Sequence, residues 1–237
     1  MMFEKGLNVM EIFFNIGIYL GGVAFLCALL MSEPKEDENT VHKPKECLKK
    51  YLFTKTFILF CVGIFAGTFA GLMLVGNLKP VMLSVGLNDM YATLSISIFA
   101  LGNIIGRTIW GEIHDLLGSR KTILISLLFL GLSLPLLLIN TLPEILLFIV
   151  LLVGIGFGGC FVIYASSVVN NYGIDLFPRL YPFCFLCYGI AGLKGPAIGG
   201  YIHELIGSYS YGILLSSVIV LLVFLLFFFK FEEVENA

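Results

Sequence analysis

Three basic residues, Arg107, Lys79 and Lys194, lie within long apolar runs of this sequence, and no Asp or Glu stands mid-run beside them. Glu11, Glu112, Glu144 and Glu204 all fall near the ends of such runs. Charge at bilayer depth is costly, so such residues face a polar cavity, a partner or the interface. The guanidinium of Arg107 presents a fork that matches the two oxygens of a carboxylate. Lys194 offers a compact point charge. Two cations without a local carboxylate make an electrostatic site for an anion. Each also has a plainer reading. Arg107 stands about six residues, or roughly 9 Å, inside one end of its run, close enough to snorkel to the interface. Lys194 lies near the middle of its run, where the plainer reading is a salt bridge. Lys79 precedes Pro80 at the end of its run and reads as snorkelling.

The run from Gly102 to Lys121 is the most specific signal. It holds Gly111-x3-Asp115-x2-Gly118-x-Arg120-Lys121. Its glycines allow a tight turn and close helix contact. A carboxylate at Asp115 is favoured beside helix N-terminal amides. Arg120 and Lys121 suit an anionic inner membrane surface. His114, next to Asp115, reads as interfacial. Enzyme patterns are missing: no His-Glu-x-x-His, no phosphate-loop Gly-Lys motif and no Gly-x-Ser-x-Gly. No metal constellation or cofactor motif is found. Cys184-x-x-Cys187 has redox spacing, but it stands beside Phe183 and Phe185. The cysteines, five of six inside apolar runs, read as small buried hydrophobes. A net charge of −2 gives no case for a nucleic-acid partner.

The elements that carry these residues follow from composition. The chain has 237 residues, 59% hydrophobic and 13% charged. Soluble chains average about 25% charged, so this one has too little polar surface to coat a water-facing globule. A span needs about 20 mostly apolar residues. Seven runs qualify, at 7–31, 56–79, 91–112, 122–141, 143–168, 181–203 and 208–230. The expectation is an all-α, polytopic membrane helix bundle with seven transmembrane helices. Residues 1–6 carry no secretory signal pattern, so the first run is expected to stay attached.

Connections alternate in charge. The segment 32–55 carries Lys35, Lys43, Lys45, Lys49, Lys50 and Lys55; the third connection carries Arg120 and Lys121; the fifth carries Arg179; Lys230 opens the C-terminus. Intervening connections lack Lys and Arg. Positive charge stays cytoplasmic, which puts the N-terminus outside and the C-terminus inside, with Lys5 outvoted. The expected organisation is a first span over 1–31, a cytoplasmic linker over 32–55, a six-helix unit over 56–230 and a cytoplasmic tail over 231–237. The end of the linker, Lys45 to Lys55, can lie as a short amphipathic helix on the inner leaflet. Glycine stripes, such as Gly63-x3-Gly67-x3-Gly71, and Pro80, Pro135, Pro182 and Pro196 suit close, kinked packing.

The Gly111–Lys121 pattern resembles the inter-helix loop motif of the major facilitator superfamily, with Leu116 where a basic residue commonly follows the Asp. Lys45–Lys49 through Phe57, then Ala70–Leu78, resemble the start of the C-terminal half in its oxalate/formate antiporter family. Gly102-Asn103, Gly106-Arg107 and Trp110-Gly111 resemble that family's eighth helix, and Tyr188–Pro196 its eleventh. These stretches cover most of residues 45–203. The resemblance implies family helices 6–12 of a twelve-helix fold that moves small carboxylates by alternating access. It implies Arg107 as the carboxylate's ligand, with Asn77, Asn103, Tyr188 and Lys194 as further cavity residues. Asn103 stands where the related monocarboxylate transporters have an aspartate. Lys194 stands about six residues, roughly 9 Å of rise and a different helix face, beyond the family's lysine. Gly111, Asp115, Gly118, Arg120 and Lys121 become a conformational latch. The implied partners are a small organic anion, the lipid bilayer (that of the cell membrane) and a separate N-terminal transporter half. A fragment, a split carrier and a truncated product all fit. Two other readings stand beside this one. Seven spans with the N-terminus outside match a seven-helix receptor, although a receptor has no use for the latch. A non-transporting membrane subunit is the other.

Overall fold

The computed structural model describes residues 9–30, 48–139 and 142–231. It divides into two units, 1–46 and 47–237. In the first, the described residues form helix α1 (Val9–Leu29), which carries the first expected span. The expected linker lies outside the described residues over 31–47.

The second unit holds α2 (Lys49–Leu52), α3 (Lys55–Gly76), α4 (Leu78–Ser84), α5 (Asp89–Leu136), α6 (Pro143–Tyr172), α7 (Phe177–Ile206) and α8 (Ser210–Lys230). No strand occurs among the described residues. Five helices, α3, α5, α6, α7 and α8, are long and apolar enough to cross a membrane. Two of the expected spans are the arms of α5, a 48-residue helix broken at Gly118. The surface is apolar too: Leu193 is 80% exposed and Phe229 77%. Water penalises such a surface, whereas hydrocarbon accepts it. The helices satisfy their backbone groups internally, as a bilayer requires.

Local signals set the helix ends. Thr54 caps α3 by accepting from the Phe57 amide, and its hydroxyl lies 2.8 Å from Tyr172 Oη at the end of α6. The amphipathic helix expected over Lys45–Lys55 is thus, within the described residues, one short turn, α2, stopped before that cap. Asn88 caps α5 by accepting from Tyr91 N at 2.9 Å. Residues 232–237 of the expected tail lie outside the described residues. Phe231 is buried against Phe60 and Phe227, at ring distances of 5.6 and 5.5 Å.

Packing follows small residues. α5 lies chiefly on α6 and α8, and α3 on α7, α8 and α6. Lipid offers little hydrophobic drive for helix association, so close van der Waals fit must supply it. The stripe Gly63, Gly67, Gly71 on α3 receives Tyr164, Cys160 and Phe157 of α6, where a methyl would collide with each. The Phe157 ring seats on Gly71 of α3 and also meets Phe99 of α5 at 5.6 Å.

Candidate functional site

The first arm of α5 presents Phe99, Ala100, Asn103, Ile104 and Arg107 toward one groove. These positions share a helix face by their spacing of three and four. Val75 of α3 and Phe157 of α6 complete the lining of a cavity of about 560 Å³. Arg107 and Asn103 are its polar side chains; the rest is apolar.

Two contacts hold the Arg107 head. Its Nε–H donates to Asn103 Oδ1 at 3.0 Å. Its guanidinium carbon lies 4.7 Å from the centre of the Phe161 ring on α6. A cation over an aromatic face is attracted by the ring quadrupole. Among the described residues no carboxylate pairs with Arg107. A guanidinium has five N–H donors, and the bond to Asn103 uses the one on Nε. The fork of Nη1 and Nη2, which suits a carboxylate end-on, is left by that bond.

Phe161 was absent from the sequence candidates. It joins a row of rings across three helices: Phe99–Phe157 at 5.6 Å, Phe157–Phe161 at 5.2 Å, Phe161–Tyr188 at 5.3 Å and Tyr188–Phe185 at 4.9 Å. Tyr181 of α7 donates its hydroxyl to the Phe161 carbonyl at 3.4 Å. Tyr188 thus meets Arg107 through the Phe161 ring.

Asn77 and Lys194 are placed elsewhere. Asn77 is buried between α3 and α7, where its amide nitrogen donates to the Met73 carbonyl at 2.9 Å and the Pro196 carbonyl at 3.2 Å. Lys194 is exposed on α7 and does not line the groove. Six residues past Tyr188 amount to about a third of a turn around the helix. Lys79 pairs with Asp89 at 2.8 Å near the surface, where such pairs contribute little.

The latch residues gather at the break in α5. Gly118 takes φ 75° and ψ 174°, a conformation closed to residues with a Cβ. Ahead of it, Asp115 is exposed, with Oδ1 3.8 Å from His114 Nδ1. Beyond it, Arg120 donates to the Phe228 carbonyl of α8 at 3.3 Å. Lys121 is exposed. Gly111 faces Val162 of α6, and Trp110 donates to the Ile155 carbonyl at 3.1 Å, so both lie on the α6 side. His114 is buried among its protein neighbours: only 1% of it is exposed. It lies in the connection between the expected spans 91–112 and 122–141. Burial pushes its pKa below the ordinary histidine value, and the Asp115 carboxylate pulls the other way.

Of the cysteines described, Cys160 and Cys184 are buried, Cys61 and Cys187 half-buried and Cys27 exposed. Cys61 Sγ lies 3.7 Å from Cys184 Sγ. Among the described residues no His, Cys, Asp or Glu cluster can hold a metal ion.

Comparison with known proteins shows the family of the chain. The sequence model of the Major Facilitator Superfamily matches residues 59–237. The chain is 23% identical to the uncharacterized MFS-type transporter YfiU of Bacillus subtilis (strain 168) over 165 residues, covering 70% of this chain and 32% of that protein. It is 33% identical to the efflux pump FUBT of Fusarium oxysporum over 88 residues, 37% of this chain and 14% of that one. It is 31% identical to the efflux pump FUB11 of Gibberella moniliformis (strain M3125 / FGSC 7600) over 88 residues, with the same coverage of 37% and 14%. The chain thus spans a third or less of the length of these curated relatives. With the family pattern matched from α3 through α8, this multi-pass membrane protein belongs to the major facilitator superfamily.

Proposed function

We propose that this chain forms the C-terminal half of a secondary transporter that moves small carboxylates by alternating access. The observation that carries the reading is the state of Arg107. Its guanidinium stands at an otherwise apolar groove, tethered by Asn103 and Phe161, with no carboxylate partner among the described residues. A permanent cation in such surroundings favours an anionic guest. A carboxylate suits it by shape, because the guanidinium fork forms two parallel hydrogen bonds to its oxygens.

The same groove narrows the guest. Arg107 is the cation that lines it, so it neutralises one carboxylate group. The walls of Val75, Phe99, Ala100, Ile104 and Phe157 favour a small apolar body over a second charge. That supports a monocarboxylate over a dicarboxylate.

Facilitator sites lie between two halves near the bilayer midplane, and access alternates as the halves rock. In this reading the chain supplies one wall, and a separate N-terminal half supplies the other. α1 is the sixth helix of the whole carrier, and the two arms of α5 are the eighth and ninth. The N-terminus faces outward and the C-terminus the cytoplasm of the cell, as the Lys and Arg distribution supports. Asp115, Gly118, Arg120 and Lys121, with Gly111, form the turn that governs the rocking.

Uptake of labelled pyruvate, formate and oxalate into vesicles, with the chain expressed beside an N-terminal half, tests the proposal. Saturable uptake that Arg107→Ala abolishes is the expected result. Uptake that survives Arg107→Ala removes the carboxylate role. A stable chain with neither uptake nor carboxylate binding favours a non-transporting subunit.

A further inference from the structure

His114 combines burial with an unfinished set of hydrogen bonds. Its Nε2 lies 3.3 Å from Ser119 Oγ and 3.3 Å from Ser167 Oγ. Ser119 follows the Gly118 break, and Ser167 belongs to α6. One ring nitrogen therefore touches both the far arm of α5 and the neighbouring helix. The other nitrogen, Nδ1, is buried and has no hydrogen-bond partner among the described residues. Asp115 Oδ1 stands 3.8 Å from it, beyond hydrogen-bond reach. The Asp115 side chain is 86% exposed, so water leaves it free to move.

Proton counting shows what this arrangement does. A neutral imidazole carries one N–H. With that hydrogen on Nδ1, Nε2 accepts from the serine hydroxyls and Nδ1–H lacks an acceptor. With it on Nε2, the Nδ1 lone pair faces a carboxylate, which is repulsive. Adding a proton makes both nitrogens donors. Nδ1–H then attracts Asp115, and a charge-assisted bond can close the gap. Nε2, now a donor, gives its hydrogen to a serine oxygen instead of accepting from a serine hydroxyl.

We propose that His114 is a proton-binding site that sets the Gly118 turn. The neutral ring links Ser119 to Ser167. The imidazolium draws Asp115 inward, and its Nε2, which accepted from the serines in the neutral Nδ1–H form, now donates to a serine oxygen. The charged neighbours of the turn are few. Glu112 and Asp115 lie on the same arm; Arg120 and Lys121 lie on the far arm, and Arg120 is tied to α8 through the Phe228 carbonyl. α6 contributes the uncharged Ser167 and Asn171, whose Nδ2 donates to the Ser167 carbonyl at 2.8 Å. Asp115 is therefore the group that answers a proton on His114. The inference is independent of which cargo the groove takes.

A probe is built in. Trp110 is the one tryptophan of the chain, and it stands one helical turn before His114, where side chains are neighbours. A protonated imidazole quenches the emission of a nearby indole; a neutral one does so far less. The full chain, reconstituted in lipid, is titrated from about pH 8 to about pH 5, the range that brackets an imidazole. The expected result is one single-proton loss of Trp110 emission. It vanishes in His114→Gln, persists in His42→Gln and His203→Gln, and moves to lower pH in Asp115→Asn. A flat wild-type curve, or one that His114→Gln leaves unchanged, overturns the proposal. Should His114→Gln fail to fold, Asp115→Asn decides alone: its substitution is at the surface, and an unmoved midpoint overturns the proposal.

Discussion

Arg107 Nε donates to Asn103 Oδ1 at 3.0 Å, one turn earlier on the same face of α5. The amide orients the guanidinium without neutralising it. A carboxylate at 103 would do both, and would compete with any anionic guest. Asn103 is thus the choice that keeps Arg107 both placed and charged.

Asn103→Asp tests this directly. An aspartate beside a guanidinium has its pKa lowered, so it stays ionised across the workable pH range. Carboxylate affinity should fall by at least about tenfold, or about 1.4 kcal/mol, because charges this close interact by about 4 kcal/mol near a protein surface. Acidification to about pH 5 should not restore it, since the paired aspartate stays charged. Equilibrium binding of labelled pyruvate at two pH values reads both effects. Unchanged affinity would show that Asn103 and the guest do not share Arg107.

Phe161→Leu removes the ring beneath Arg107 while keeping an apolar side chain of related size. Exposed cation–π contacts contribute about 0.5–1 kcal/mol, so affinity should weaken by about two- to fivefold. Phe161→Tyr, which retains a ring, should bind like the wild type. The same binding assay separates the two variants, and equal losses in both would argue for a packing fault instead.

Gly118→Ala forces a Cβ into a backbone conformation that costs about 1–3 kcal/mol outside glycine. The variant should show a lowered thermal unfolding temperature or a straightened α5. Gly111→Ala is the control, because its new methyl would meet Val162 at an ordinary 3.5 Å. Thermal unfolding in detergent measures both. Equal stability of Gly118→Ala and wild type would mean that the break relaxes without loss.

Legibility differed from residue to residue, for physical reasons. Apolar runs of span length were readable because hydrocarbon solvent demands them, and α3, α6, α7 and α8 lie where those runs lie. The turn at Gly118 was readable from its glycine and basic residues. A tight turn was expected there, and the structure confines the break in α5 to that one residue. Phe161 could not be found in advance. The α6 run Ile145–Ile163 is apolar throughout, so periodicity does not show which ring lies beneath Arg107; that contact is seen only in the structure. The burial of His114 was not legible, since Asp115 beside it is exposed. Adjacent residues on a helix point about 100° apart, so one can be buried while the next is exposed. Asn77 was a cavity candidate through the family resemblance, and a lone amide in an apolar run needs partners. The structure supplies them from the Met73 and Pro196 carbonyls. Polar side chains in spans often serve as such inter-helix links.

The most direct test of the account is whether a carboxylate shields Arg107. The chain in lipid vesicles is treated with a guanidinium-directed dicarbonyl reagent, with and without saturating pyruvate, and modification is followed peptide by peptide. Pyruvate should slow modification of Arg107 and leave Arg120 and Arg179 unaffected. An unchanged rate at Arg107 under saturating pyruvate, formate and oxalate alike would contradict it.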